Sequence, residues 1–231
     1  MTKQERATRT RQTLIRSAAA VFERHGYAEA RLVLISAGAG VSTGALHFHF
    51  ENKAAVAEAV VAQASHGLRD MAGAIRCRAD TALQALVDIS HALAERLRED
   101  PVTRAGFRLS ADGEPVVAPD LRGDWHRCVR ELMEEAATAG ALVEGVPREE
   151  AVAVTVAATA GFEVLGRHDP AWLSPYALTD FWRLLLPRLA AADALALIDP
   201  SGTGAAGLAS ACAARGAAVG AGASSRPASG A

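Results

Sequence analysis

Ala39-Gly40-Val41-Ser42-Thr43-Gly44-Ala45-Leu46-His47-Phe48-His49-Phe50-Glu51-Asn52-Lys53 is the stretch whose reading decides the fold. It spells a tight turn, a very short helix, an aromatic clamp and the start of a longer helix. Gly40 supplies a turn that a β-carbon would hinder. Ser42 is placed to cap the following helix through its hydroxyl, while Gly44 and Ala45 keep that helix's leading edge thin. A slim helix end carrying small polar residues can approach base edges in the DNA major groove. Phe48 and Phe50 are expected to pin the short helix to the rest of its domain. Lys53 is expected to meet a phosphate at the start of the next helix. The same spacing also suits a plain αα-hairpin in a helical core, so the upstream residues have to decide.

Between residues 4 and 25, Leu14, Ala18, Val21 and Phe22 recur at helical spacing, and Gly26-Tyr27 closes that helix. Arg6, Arg9, Arg11 and Arg16 lie along its first half. Leu32 and Ile35 mark a short second helix before the Gly40 turn. Three helices, the last two joined by a glycine turn, match a helix-turn-helix layout. The charge agrees. Residues 1–53 hold eight Lys/Arg against four Asp/Glu, a net of +4, whereas the whole chain is −2, which leaves −6 for the remainder. A basic head on an acidic body suits a DNA-binding module carried by a second domain, although a charge run can also be a solvated helix face.

The remaining residues read as further helices. The spacing predicts a long helix over 52–77, amphipathic helices over 81–98 and 121–139, and a short one over 102–110. Asp112-Gly113-Glu114-Pro115 through Pro119 is a loop by its turn residues. Pro147 with Glu149-Glu150 opens a nearly all-apolar helix over 151–165, too short for the roughly 20 residues of a membrane span. A helix apolar all round is expected to be buried, in a core or between subunits. Ser174-Pro175 opens a last helix over 176–186. Alternating β-branched runs are absent from the sequence, so the fold class is all-α. From residue 199 onward, Ala, Gly, Ser and Pro make up 26 of 33 residues, which predicts a disordered tail. The expected domains are 1–53, 54–198 and the tail 199–231.

Catalytic and metal chemistry find little support. His47 and His49 form an HxH pair, but residues two apart on a helix point about 200° apart and cannot share an ion unaided; His126 and Cys128 have the same defect. Ser110, His126 and Asp112 make a nominal triad without a nucleophile elbow or oxyanion loop. Phosphate-cradling loops are absent too. Cys77, Cys128 and Cys212 are scattered, which indicates no disulfide framework, and the charged start from Lys3 does not read as a signal peptide. The expectation is a cytoplasmic protein with no enzymatic activity and no cofactor or metal. Trp125, at helical spacing, reads first as a core tryptophan.

Residues 8–60 resemble the N-terminal domain of the TetR family of bacterial repressors in Phe22, Gly26-Tyr27, Ile35, Ala39-Gly40-Val41, Gly44-Ala45, Phe48-His49-Phe50 and Lys53. The likeness extends to the γ-butyrolactone autoregulator receptors of streptomycetes, the A-factor-receptor-like group. It rests there on residues 44–50, on Pro101-Val102-Thr103-Arg104-Ala105-Gly106-Phe107-Arg108-Leu109, and on Trp125. Thr43 stands where the family commonly has lysine, His47 where tyrosine is usual, and Arg31 where a capping Thr or Ser is normal. The resemblance implies an N-terminal helix-turn-helix domain followed by a helical ligand-binding and dimerisation domain.

It further implies a homodimeric repressor of palindromic double-stranded operator DNA, released by a small molecule and controlling antibiotic biosynthesis, with no membrane partner. Arg11, Ser42, Thr43, Gly44, His47, His49 and Lys53 are the implied DNA contacts. Trp125 would form the wall of a ligand pocket, with Leu86, Phe107, Leu109, Val129 and Phe162 as neighbours. The helix over 52–77 would carry the signal between the two. The alternative is a ligand-sensing helical protein that has lost DNA binding through Thr43 and His47.

Overall fold

The computed structural model describes residues 2–111 and 119–204. They form α1 (Lys3–Glu29), α2 (Leu32–Gly38), α3 (Thr43–His49), α4 (Lys53–Arg76), α5 (Ala82–Glu99), α6 (Pro101–Ala111), α7 (Leu121–Thr138), α8 (Arg148–Gly166), a 3₁₀ turn (Pro170–Leu173), α9 (Pro175–Leu189) and α10 (Ala192–Leu195). Among the described residues there is no strand, only one antiparallel bridge between Leu142 and Ala190. The expected all-α class is therefore what is seen. The loop expected over 112–118 and the tail beyond residue 204 lie outside the described residues.

Local chemistry sets the helix limits. The Ser42 hydroxyl accepts from the Ala45 amide at 3.2 Å, the Asn52 side chain from Ala55 at 2.9 Å and the Thr81 hydroxyl from Gln84 at 3.1 Å. Each satisfies a donor that the first helical turn leaves unpaired. Arg31, standing at the start of α2, offers no such cap. Gly40 has φ +68°, which a residue with a β-carbon takes only under strain, and α2 and α3 bend there by 100°. Gly26 breaks α1 at φ +71°, as expected, but the chain continues helically to Glu29.

Two hydrophobic clusters hold the helices together. The first joins the inner face of α1 (Leu14, Ile15, Ala18, Phe22) to Ile35, Leu46 and Phe50, and runs on into α4, the end of α5 and α6. It is continuous across residue 53. The second gathers the start of α5 with α7, the start of α8 and α9 around Trp182, whose indole N–H donates to Ser90 Oγ at 2.8 Å. Met71 and Trp125 pack against both. At the centre of the first cluster α6 crosses α4 at Gly106, where an added β-carbon would lie 2.7 Å from Ala64 Cβ. From the same helix, Arg104 grips the Glu23 carboxylate at 2.6 Å and Arg108 donates to the Glu23 carbonyl at 2.6 Å, binding α6 to the end of α1.

Three expectations change. The 3₁₀ turn and α10 had no periodic signal because each is a single turn. The 151–165 helix, expected to be buried in a core or between subunits, is only half covered by its own chain: Ala151, Val152, Thr155 and Glu163 face inward, while Val154, Val164 and Leu165 are exposed, the side left for burial between subunits. Residues 199–204, read by composition as the start of the tail, are instead docked on α5. The Asp199 amide donates to Gln84 Oε1 at 2.8 Å, and Thr203 donates through its amide and hydroxyl to the two Asp88 oxygens, both at 2.8 Å. Composition missed this because Gln84 and Asp88, buried polar side chains, hold the segment by hydrogen bonds rather than by apolar area.

Gly106→Ala tests the crossing. Alanine in place of glycine normally strengthens a helix by about 1 kcal/mol, but here it should cost about 1–3 kcal/mol by overpacking. Urea unfolding should show a lower midpoint at unchanged slope, and Ala64→Gly should restore much of the loss.

Candidate functional site

α3 presents two opposite faces. Leu46 and Phe50, four residues apart, share the buried side, whereas Ser42, Thr43, Gly44, His47 and Phe48 are exposed. The structure corrects the expected clamp: Phe50 alone is buried and Phe48 is 80% exposed. The reason is the 100° step of a helix, which turns position 48 away from the side shared by 46 and 50. His49 is half-buried, its ring edge-on to Phe48 with centroids 5.2 Å apart. The Thr43 hydroxyl lies 3.3 Å from that of Ser36 on α2, which fixes the start of α3. Arg11 of α1 lies over the Phe50 ring at 5.0 Å, so α1 brings a guanidinium beside α3.

Lys53 is placed differently from the expectation. Its ammonium donates to the Tyr27 carbonyl at 2.8 Å and the Ala28 carbonyl at 3.0 Å, and sits 4.5 Å from the Tyr27 ring centroid. The unpaired carbonyls of a helix end and an aromatic face both attract a cation, and here they hold the ammonium. Lys53 thus ties the start of α4 to the end of α1.

A second site lies in the body. An apolar cavity of about 70 Å³ is lined by α4 (Ser65, Leu68, Met71, Ala72), α5 (Ile89, Leu93), Phe107 of α6 and α7 (Leu121, Asp124, Trp125, Cys128), with Arg69 also on its lining. Trp125 forms a wall with its N–H turned to Thr159 Oγ1 at 2.7 Å. The Ser65 hydroxyl donates to Asp124 Oδ2 at 3.2 Å. Burial pushes the Cys128 thiol up to about 11, with Glu131 and Glu135 adding to the rise and Arg76 opposing it. At neutral pH that thiol is therefore protonated and unreactive.

Of the residues expected beside Trp125, the cavity gathers only Phe107. Leu86 and Val129 lie one turn away along α5 and α7, inside the second cluster. Leu109 falls on another side of α6 in the first cluster, and Phe162 packs against Phe181 and Trp172. The α4 contribution was missed because that helix read as a connector. Its signal was present all the same: Ser65, Leu68, Arg69 and Ala72 recur at helical spacing. Among the described residues no single helix is long and apolar enough to cross a membrane, and no three His, Cys, Asp or Glu side chains gather as metal ligands.

Comparison with known proteins places this geometry in context. Residues 14–60 match the model for bacterial regulatory proteins of the tetR family. The chain is 30% identical to the A-factor receptor protein of Streptomyces griseus over 204 residues, 87% of this chain and 71% of that protein. A solved gamma-butyrolactone receptor, an ArpA-like protein, superposes with a TM-score of 0.72 at 27% identity, covering 90% of this chain and 97% of its own. CprB of Streptomyces coelicolor, a TetR-family protein solved with its biological operator sequence, gives a TM-score of 0.69 at 29% identity, covering 83% and 93%.

Lys53→Met should destabilise the fold by about 1.5–3 kcal/mol, the range for hydrogen bonds to a charged group, read as a lower thermal midpoint. A midpoint equal to that of the unchanged protein would return Lys53 to the free surface.

Proposed function

We propose a function from one premise: the chain belongs to the TetR family of bacterial regulatory proteins, in the group of the A-factor receptor. It is a dimeric, ligand-responsive transcriptional repressor that binds palindromic operator DNA, lets go when a small molecule binds, and controls antibiotic production. It works in the cytoplasm, without catalysis. The observation that carries this reading is the exposed face of α3, where Thr43, Gly44, His47 and Phe48 stand together on a capped helix. Thr43 and His47 offer hydrogen bonds to base edges, and Phe48 offers apolar contact of the kind a thymine methyl accepts. Arg11 and the other arginines of α1 supply phosphate contacts that hold the register.

Unburied apolar side chains support the dimer. Val154, Val164 and Leu165 on α8 and Tyr176 and Leu184 on α9 are exposed, the last two by about 80%. They lie on two helices, and a two-fold pairing would bury the same side chains on both copies. Two α3 helices then meet half-sites one helical turn, about 34–36 Å, or a multiple of it apart.

The ligand is a small molecule of the γ-butyrolactone type or an antibiotic made by the same cell, received in the cavity beside Trp125. That cavity is smaller than the roughly 300–1,000 Å³ of ligand pockets in general, so filling it means parting α4 from α5, α6 and α7. Because α6 grips Glu23 of α1, such a movement reaches the DNA-reading head.

Selection of bound fragments from genomic DNA, followed by a screen of culture extracts for release, tests the reading; failure to retain any duplex at low salt would reject it. Trp125→Ala should abolish release by an active extract while duplex binding persists, and an undiminished response would move the ligand elsewhere. Phe48→Ala should weaken operator binding by about 1–3 kcal/mol without lowering the unfolding midpoint, since its ring is already in solvent.

A further inference from the structure

We infer that an arginine-lined cleft bordered by α1, α5, α6 and α8 is a second binding site, which takes a small organic dianion: a phosphate monoester or a dicarboxylate. The inference is independent of the ligand reading for the Trp125 cavity, because the two linings share no residue. The cleft measures about 650 Å³, inside the roughly 300–1,000 Å³ of small-molecule pockets. Its charged groups come from separate elements. Arg98 stands on α5, Arg104 and Arg108 on α6, and Arg167 just past α8; Glu23 of α1 and Glu163 of α8 oppose them. Four guanidinium groups against two carboxylates leave this lining at +2 with His168 neutral.

A charge run along one helix is usually a solvated face, and a set of closed ion pairs needs no ligand. Neither describes this cleft. Arg104 is fully engaged: Nε and one Nη meet Glu23 at 2.6 and 3.3 Å, and the other Nη meets the Leu97 and Arg98 carbonyls at 3.2 and 2.6 Å. Both carboxylates are engaged as well, since Glu163, only 5% exposed, is held by Arg122 and by Arg167, each at 2.6 Å. Arg98 and Arg167 keep donors to spare. A guanidinium has five N–H groups. Among the described residues, Arg98 uses one, toward the Leu173 carbonyl at 3.3 Å, while Arg167 meets Glu163 through Nε and a single Nη. The excess charge therefore faces a concave wall and not a carboxylate, an arrangement that concentrates the field and draws counter-ions.

Charge, donors and shape set the ligand chemistry. Planar guanidinium forks match carboxylate and phosphate oxygens two at a time. A lining at +2 is balanced by one dianion, and a phosphate monoester carries about −1.5 to −2 at pH 7 with three acceptor oxygens. A cation is repelled, and a neutral molecule leaves the guanidinium excess without a counter-charge. Leu97, Pro170 and Leu173 on the same lining give an apolar body a place beside the charged end.

The test uses the full chain without DNA, titrated by calorimetry with phenyl phosphate, benzene-1,2-dicarboxylate, inorganic phosphate and benzyl alcohol. At least one of the two organic dianions should bind once per chain, about tenfold or more tighter than benzyl alcohol, and weaken as salt is raised. Which of the two does so identifies the acid group. Inorganic phosphate, with no apolar body, should bind more weakly than the better of them. Arg98→Gln should weaken that dianion about tenfold or more at an unchanged unfolding midpoint, since Arg98 holds a single carbonyl. Arg98→Lys, which keeps the charge and loses the fork, should fall between. Arg130→Gln, exposed on α7 and outside the cleft, should bind as the unchanged protein does.

Absence of saturable binding by both organic dianions at millimolar concentration overturns the inference. So does benzyl alcohol or inorganic phosphate that binds as tightly as the better dianion, or an Arg98→Gln variant that keeps the full affinity. An equal loss in Arg130→Gln does the same, because it marks diffuse surface charge. If Arg98→Gln keeps its dianion affinity but lowers the salt slope of operator binding by about one, Arg98 is a duplex contact: the inference falls and the repressor reading stands.

Discussion

A single missing side chain lets two helices touch, and much else depends on that contact. At Gly106 the backbone of α6 lies so near α4 that even a methyl group would collide with Ala64. Held there, α6 reaches three places at once. Arg104 and Arg108 meet Glu23 near the end of α1. Val102 and Ala105 extend the core shared with the helix-turn-helix. Phe107 closes one side of the cavity. A bulkier residue at 106 would push all three apart together, because close-packed interiors transmit displacement rather than absorb it.

The DNA-reading head is stiff for reasons that are equally local. Leu46 and Phe50 anchor α3 from inside, Ser42 caps it, Ser36 holds Thr43, and Lys53 clips α4 to the end of α1. The exposed face of α3 can therefore be offered to a duplex without ordering loose side chains first, which lowers the entropic cost of binding. Charge works at longer range. The excess of arginine in residues 1–53 over an acidic remainder turns the head, and not the body, toward a polyanion.

Most helices were legible because their apolar residues repeat at helical spacing and their ends carry Ser, Thr, Asn or Gly. Ser42, Asn52 and Thr81 all cap as their side chains suggest. What sequence could not convey was which face a residue takes within a short helix, and which of several apolar neighbours meet across helices. Phe48 and Phe50 look alike in sequence, yet one is bare and the other buried, since α3 spans only two turns and its register comes from Leu46. Lys53 shows the same limit: sequence placed a cation at a helix start but did not show that its ammonium meets the Tyr27 and Ala28 carbonyls. Trp125 and Phe107 were found together, whereas Leu86, Leu109, Val129 and Phe162 carry the same core signal and belong to other contacts. The docked 199–204 segment was invisible to composition because Gln84 and Asp88 act by hydrogen-bond geometry.

The cavity sits where the two cores adjoin, with Met71 and Trp125 in both, and that position explains how a small volume change could govern DNA binding. A ligand shifts the protein only by its difference in affinity between the two states. Ser65 on the cavity wall and Lys53 at the head are twelve residues apart on α4, about 18 Å at 1.5 Å per residue. Under the ligand reading proposed above, a movement of α4 at the cavity is carried to the head along this lever, with no need to unfold the reading helices.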